Sequence, residues 1–168
     1  LAFPALGAEE FPSKPMRFLV PFAPGGNTDI LARAVSVKTA EHWGKPVVVD
    51  NRPGGAGVVA CELVARSNPD GHTILVGSTG ELAVNPSLFK SLPYDVARDF
   101  APLSLGTVSP LLLVKHPSFA PRSVKELIEY AKAHPRKVAY ASVGVGSPMH
   151  LSGELFKMVT ATDLVHVP

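Results

Sequence analysis

Three short stretches place small polar residues among glycines. They are Pro24-Gly25-Gly26-Asn27-Thr28-Asp29, Gly77-Ser78-Thr79-Gly80 and Ser142-Val143-Gly144-Val145-Gly146-Ser147. Each follows an apolar run and leads toward a helix-like segment. Glycine removes the Cβ, so a ligand can reach the main chain. The start of a helix presents unpaired N–H groups and a partial positive charge, which favour a carboxylate or phosphate. Serine and threonine hydroxyls add short donors. Gly25, Gly26, Asn27, Asp29, Ser78, Thr79, Gly80, Ser142, Gly144, Gly146 and Ser147 are therefore candidate ligand-binding residues. His150, in the first turn after the third loop, joins them because a ring N–H there can donate to an anion.

Each loop also has a plainer reading. Asn27, Thr28 or Asp29 can serve only as an N-cap, worth ~1 kcal/mol. Asp29 can cap its helix or receive a ligand amine, and the residues do not decide. Ser147 before Pro148 is an ordinary helix start, and His150 can be a satisfied surface histidine. Three loops of one kind in a single chain favour a site.

Other chemistries fit less well. Gly144-Val145-Gly146 resembles the start of a dinucleotide fingerprint, but Met149 stands at its third glycine position. The stretch APGGNTD lacks the Gly-Lys-Ser/Thr of a phosphate-binding P-loop. No Ser/His/Asp order, paired carboxylates or metal cluster stands out, so no catalytic residue, metal or cofactor is expected. Cys61 is the single cysteine, which excludes an internal disulfide, and Val58, Val59 and Val64 around it imply a buried, inert thiol. His42, His72, His116, His134 and His166 stand at helix or strand ends without metal-ligand spacing and read as structural. Arg52, in the turn Asn51 to Gly55, reads as solvated or paired. A net charge of +2 without a basic cluster gives no sign of nucleic acid. At 46% hydrophobic and 18% charged residues, the 168-residue chain is an ordered globular protein.

The elements that must position the loops alternate between strand-like and helix-like, which predicts an α/β protein with a largely parallel sheet. Strands are expected over Met16 to Phe22, Val47 to Val49 and His72 to Gly77, with helices over Thr28 to His42 and Ala56 to Arg66. Gly44 caps the first helix and Pro46 prevents its resumption. Asn85 to Phe100 is irregular, and two apolar runs, Leu103 to Val108 and Leu111 to His116, form a crossing between two lobes. Ser123 and Glu126 make a capping box for a helix carrying Val124, Leu127, Ile128 and Ala131 on one face. A strand over Lys137 to Ser142, a helix over Pro148 to Val159 and a last strand opening at Leu164 complete the pattern. No apolar run reaches the ~18 to 20 residues of a membrane span. Leu1 to Ala8 resembles the tail of a secretory signal with cleavage after Ala8.

Five separated motifs, VPFAPGGNTDILAR, VVVDNRPGGAG, NPDGHTILVGSTG, NPSLFKSLPYDVARDFAPLSL and YASVGVGSPMHLSGELF, occur in order from about Phe11 onward. Together they resemble the extracytoplasmic solute receptors of tripartite tricarboxylate transporters, the Bug family. The resemblance implies a two-lobed periplasmic-binding-protein fold (type II-like) that closes on its ligand like a hinge. It further implies a small carboxylate ligand, no enzymatic activity, a periplasmic location and a membrane partner of one large and one small integral subunit. Carried over, Gly25, Gly26 and Asp29 belong to a first-lobe loop, Ser78, Thr79 and Gly80 to its neighbour, and Ser142, Gly144, Gly146, Ser147 and His150 to the second lobe. Family members are roughly twice as long, so the expected division is a signal remnant over 1–8, lobe one over 9–104 and a partial lobe two over 105–168, an N-terminal fragment. The alternative is a nucleotide- or phosphate-using α/β enzyme.

Overall fold

The computed structural model of the chain describes residues 10–168. The expected signal remnant lies outside the described residues. The strand β1 (Met16–Val20) is central in a three-stranded parallel sheet of order β2-β1-β3, with β2 spanning Val47–Asn51 and β3 Thr73–Leu75. In register, Phe18 stands between Val49 and Ile74. A strand covered on both faces should be apolar without alternation. Met16, Phe18, Leu19 and Val20 are accordingly all buried. Pro21 supplies no N–H and ends the ladder two residues short of the expected Phe22.

Helix α1 (Asn27–Trp43) connects β1 to β2 and stops at Gly44, whose φ of 63° lets its N–H reach the Ala40 carbonyl. This is the left-handed cap for which glycine is suited. Helix α2 (Val58–Ala65) starts two residues later than the sequence implies. The chain first makes a 3-10 turn over Gly55–Gly57, with Ala56 at a φ of 55°. Ala60 and Cys61 turn inward from α2. Burial, with a further push from Glu81, raises the Cys61 thiol to about 12, so it stays protonated and inert.

The segment read as irregular contains short helical pieces: a π-type turn over Gly80–Val84, α3 (Asn85–Leu88) and α4 (Val96–Asp99). Tyr94 pins it, donating its hydroxyl to the Glu81 carbonyl at 2.7 Å and packing edge-on against Phe100. The runs Leu103 to Val108 and Leu111 to His116 pair with no strand among the described residues. Leu112 and Val114 are 82% and 80% exposed. A strand needs a partner to be stable, and Pro102, Pro110 and Pro117 interrupt the donors along this ribbon.

A second, smaller α/β unit follows, with α5 (Val124–Ala133), β4 (Ala139–Ala141), α6 (Pro148–Thr160) and β5 (Val165–Val167). The Ser123 half of the expected capping box is present, Ser123 Oγ accepting the Glu126 N–H at 3.1 Å, while the Glu126 carboxylate accepts the N–H of Arg122, one residue before the cap, at 2.9 Å. β4 and β5 are parallel neighbours joined through α6, with Tyr140 opposite His166. The helix lies close over this sheet because Gly153 faces the Tyr140 ring, where a Cβ would overlap the aromatic carbons. Replacing Gly153 with Ala should therefore force the ring aside and destabilise the fold by about 1–3 kcal/mol. Urea unfolding followed by circular dichroism measures this as a lower midpoint at unchanged slope.

Candidate functional site

Because β1 and β3 run parallel side by side, the loops that follow them leave the same edge of the sheet. The Val76 N–H, donating to the Leu19 carbonyl at 2.9 Å, carries this pairing right to the loop. In open α/β sheets ligands gather at that carboxyl edge. The first loop is braced from within. One oxygen of Asp29 accepts the Gly25 N–H at 2.9 Å and Arg33 Nε at 3.0 Å, and the other accepts Asn51 Nδ2 at 3.0 Å. The same Asn51 amide donates to the Phe22 carbonyl at 3.0 Å. The bond from Arg33, with those from Gly25 and Asn51, lowers Asp29 to about 2, so the carboxylate is ionised across the physiological range.

Asp29 therefore does not cap α1. The N-cap is Gly26, and no side chain accepts from the first turn, so the leading amides of α1 lack the usual Asx or Ser/Thr acceptor. Asn27 instead reaches across to Ser109, its amide donating to Oγ at 2.7 Å. Gly26 has an ordinary φ of −76°, and a Cβ added there would meet only the Ala23 carbonyl, at 3.6 Å. The fold does not require glycine at this position. The space beside it is open.

The second loop is organised by a residue the motif reading did not single out. Glu81 is fully buried, and its two carboxylate oxygens accept the Ser78 N–H and, at 2.8 Å, the Ser78 hydroxyl. The Gly80 N–H donates to Ser78 Oγ at 3.3 Å, while Thr79 is exposed. Burial pushes the Glu81 carboxyl up, against the opposing pull of the bonds from Ser78. Ser78-Thr79-Gly80-Glu81 has the S-x-x-E spacing of a capping box, which was the signal available in the sequence.

In the third loop most polar groups bond to one another. Ser142 Oγ accepts the Gly144 N–H at 3.1 Å and stands 2.7 Å from His166 Nε2. The Gly146 N–H donates to His150 Nδ1 at 3.2 Å, which places the proton of the neutral imidazole on Nε2. Ser147 caps α6 by accepting the His150 N–H at 3.2 Å. His166, read from sequence as structural, belongs to this network, with its ring 4.3 Å from that of His150. Its burial, and then the neighbouring His150, hold it below the ordinary histidine value. Gly146, at a φ of 84°, lies so close to α3 that a Cβ would come within 2.7 Å of Leu88 Cδ2.

The first and second loops thus share a sheet edge, and the third abuts the helix that follows the second. Two open concavities of about 520 and 430 Å³ lie elsewhere, one beside Leu82, Phe89 and Tyr94 and the other along Val35, Lys38 and Trp43. Neither is lined by the loop residues.

Residues 31–168 match the profile of the tripartite tricarboxylate transporter family receptor. The chain belongs to that family. Among curated relatives, protein BugT of Bordetella pertussis is 40% identical over 164 residues, covering 97% of this chain and 50% of BugT. MatC from Rhodopseudomonas palustris, solved with bound malate, superposes with a TM-score of 0.84 at 35% identity, covering 94% of this chain and 54% of MatC. A second R. palustris protein, solved with adipate, gives a TM-score of 0.82 at 35% identity, covering 95% of this chain and 53% of its own. The chain spans about half the length of the curated relatives it matches. These likenesses identify the architecture of this receptor family member as that of the periplasmic solute-binding proteins.

The bracing of the first loop has a measurable signature in acid. A carboxylate lowered from 3.8 to about 2 contributes stability that is complete above its unfolded value and lost as pH falls toward 2. Asp29→Asn should be less stable than the wild type at neutral pH. Its denaturant midpoint should also fall less steeply between those two values, in urea titrations across that interval.

Proposed function

We propose that the receptor captures a small organic acid in the cleft between its lobes, with residues 9–104 contributing to the first lobe and residues 105–168 to the second. A ligand carboxylate sits at the start of α1, held by its leading amides, with Ser78, Thr79 and Gly80 beside it. Ser142, Gly144, Gly146, Ser147 and His150 close from the other side, His150 presenting its Nε2 proton. Gly25 and Asp29 shape the first loop from within, and Asn27 ties it to Ser109. The observation that carries this reading is the opening of α1. Its first turn has no side-chain cap, lies at the carboxyl edge of a parallel sheet, and is flanked by Gly26 facing open space.

Malate and adipate in structurally similar proteins support a carboxylate as the ligand class. Family membership supports a periplasmic, exported protein that hands its ligand to a membrane complex of one large and one small subunit. Among the described residues no helix is long and apolar enough to cross a membrane. The function is binding and not catalysis. Ser142 and His166 are close enough to resemble a nucleophile and its base, but a working pair is oriented by a third group. The nearby Glu154 instead accepts from Tyr140 at 2.7 Å and Lys157 at 2.9 Å.

A side chain at Gly26 would fill the ligand's space without straining the backbone. Gly26→Val in the full chain should weaken malate or adipate binding by at least about a hundredfold, near 2.7 kcal/mol, with an unchanged circular dichroism spectrum. Calorimetry showing the wild-type affinity would remove Gly26 from the site. A thermal-shift screen at millimolar concentrations separates the receptor from a nucleotide-using enzyme. Carboxylates should raise the melting temperature, and nucleotides should leave it unchanged.

A further inference from the structure

Glu81 presents a paradox for a carboxylate receptor, since it places a second acid against a loop meant to hold an anion. No basic side chain among the described residues hydrogen-bonds to it. The titratable groups packed near it are Cys61 of α2, a buried thiol, and Tyr94, whose hydroxyl donates to the Glu81 main-chain carbonyl. Pro21 and Gly57 close the apolar side. Apart from its own main-chain N–H, its carboxylate is hydrogen-bonded by a single residue, Ser78, through both the N–H and the hydroxyl.

Those two contacts give Ser78 two states. With Glu81 ionised, the Ser78 hydroxyl must donate to the carboxylate, and its oxygen already accepts from Gly80. The residue then offers an incoming anion no proton. With Glu81 protonated on the same oxygen, the acid donates to Ser78 Oγ. That oxygen can accept twice, so the Ser78 proton is released to turn outward. The other Glu81 oxygen continues to accept the Ser78 N–H in both states. We propose that Glu81 is a positioning residue that couples ligand capture to uptake of one proton: the ligand carboxylate binds the form in which Glu81 is neutral and Ser78 is a donor. The inference rests on the carboxylate-binding reading above.

Two carboxylates brought near one another in a poorly hydrated place cannot both remain ionised without large cost. The arriving anion therefore favours protonation of Glu81, a carboxyl that burial has already raised above its ordinary value. Affinity must then fall as pH rises above the Glu81 value, by up to about tenfold per pH unit for one coupled proton.

Glu81→Gln supplies a decisive comparison because the amide copies the neutral acid, its oxygen accepting the Ser78 N–H and its NH₂ donating to Ser78 Oγ. Malate and adipate binding to the full chain is measured by calorimetry over the neutral-to-alkaline range in which the ligand's own carboxyls stay ionised. Buffers of different ionisation heat are used. The wild type should weaken with rising pH and take up close to one proton. Glu81→Gln should bind with a pH-independent affinity, tighter than the wild type at the alkaline end, and take up none. The infrared difference spectrum on adding malate should show the carbonyl band of a newly protonated acid in the wild type, absent from Glu81→Gln. Glu81→Ala, which leaves the Ser78 N–H without its acceptor, should bind weakly at every pH. Wild-type binding that is flat with pH and proton-free, or a Glu81→Gln protein that keeps the wild-type slope, overturns the coupling and leaves the receptor reading intact. No binding of either acid by the wild type overturns both.

Discussion

Two oxygens of Asp29 hold together pieces of chain that are distant in sequence: the Gly25 amide, the Arg33 guanidinium one turn further along α1, and Asn51 at the end of β2. Through Asn51 the same network reaches the Phe22 carbonyl just beyond β1. An ionised carboxylate that is nearly inaccessible to solvent is costly unless donors surround it, and here three do. Where α1 begins, and in which direction its first amides point, is therefore fixed by a charge the protein carries itself. The remaining features of the first loop follow from this. Asn27 is free to reach Ser109, and Gly26 is left as a cap with no side-chain acceptor beside it.

The second and third loops solve the same problem differently. Around Ser78 a buried acid consumes the available donors, whereas around Ser142 one imidazole and a hydroxyl accept the loop amides, and a second imidazole, His166, bonds that hydroxyl. Only the first loop presents an uncapped start to a long helix. Preorganised donors need no rearrangement when an anion arrives, so affinity is not spent on ordering them. The loops that look alike as strings of small residues are thus chemically unlike. One is open, one is switched by an acid, and one is mostly self-satisfied.

Much of the fold was legible because the patterns were local. Met16 to Val20 is continuously apolar and becomes the central strand, Gly44 stops α1, and Ser123 with Glu126 starts α5. The five motifs placed the chain in its family before any geometry was known. What the sequence concealed was partnership across distance. Asp29, readable as a cap or as a receiver of a ligand amine, is a brace, and its partner Asn51 lies 22 residues away. His166 read as structural, and its partner Ser142, 24 residues earlier, was hidden because the two meet only through the β4–β5 register. Glu81 stands outside the glycine and hydroxyl pattern that marks the second loop, although its spacing from Ser78 is that of a capping box. Ladders failed to form over 103–116 for a related reason: apolar alternation supplies the faces of a strand but not the neighbour it must bond to.

That ribbon has a further consequence. Leu103, Leu105, Val108, Leu112 and Val114 stand at the surface in a stretch without ladder bonds and with a single charged side chain, Lys115. Exposed main-chain donors and acceptors beside branched aliphatic groups are what adhesive segments share. Covering these side chains would remove from water both the branched aliphatic groups and the unpaired main-chain groups beside them.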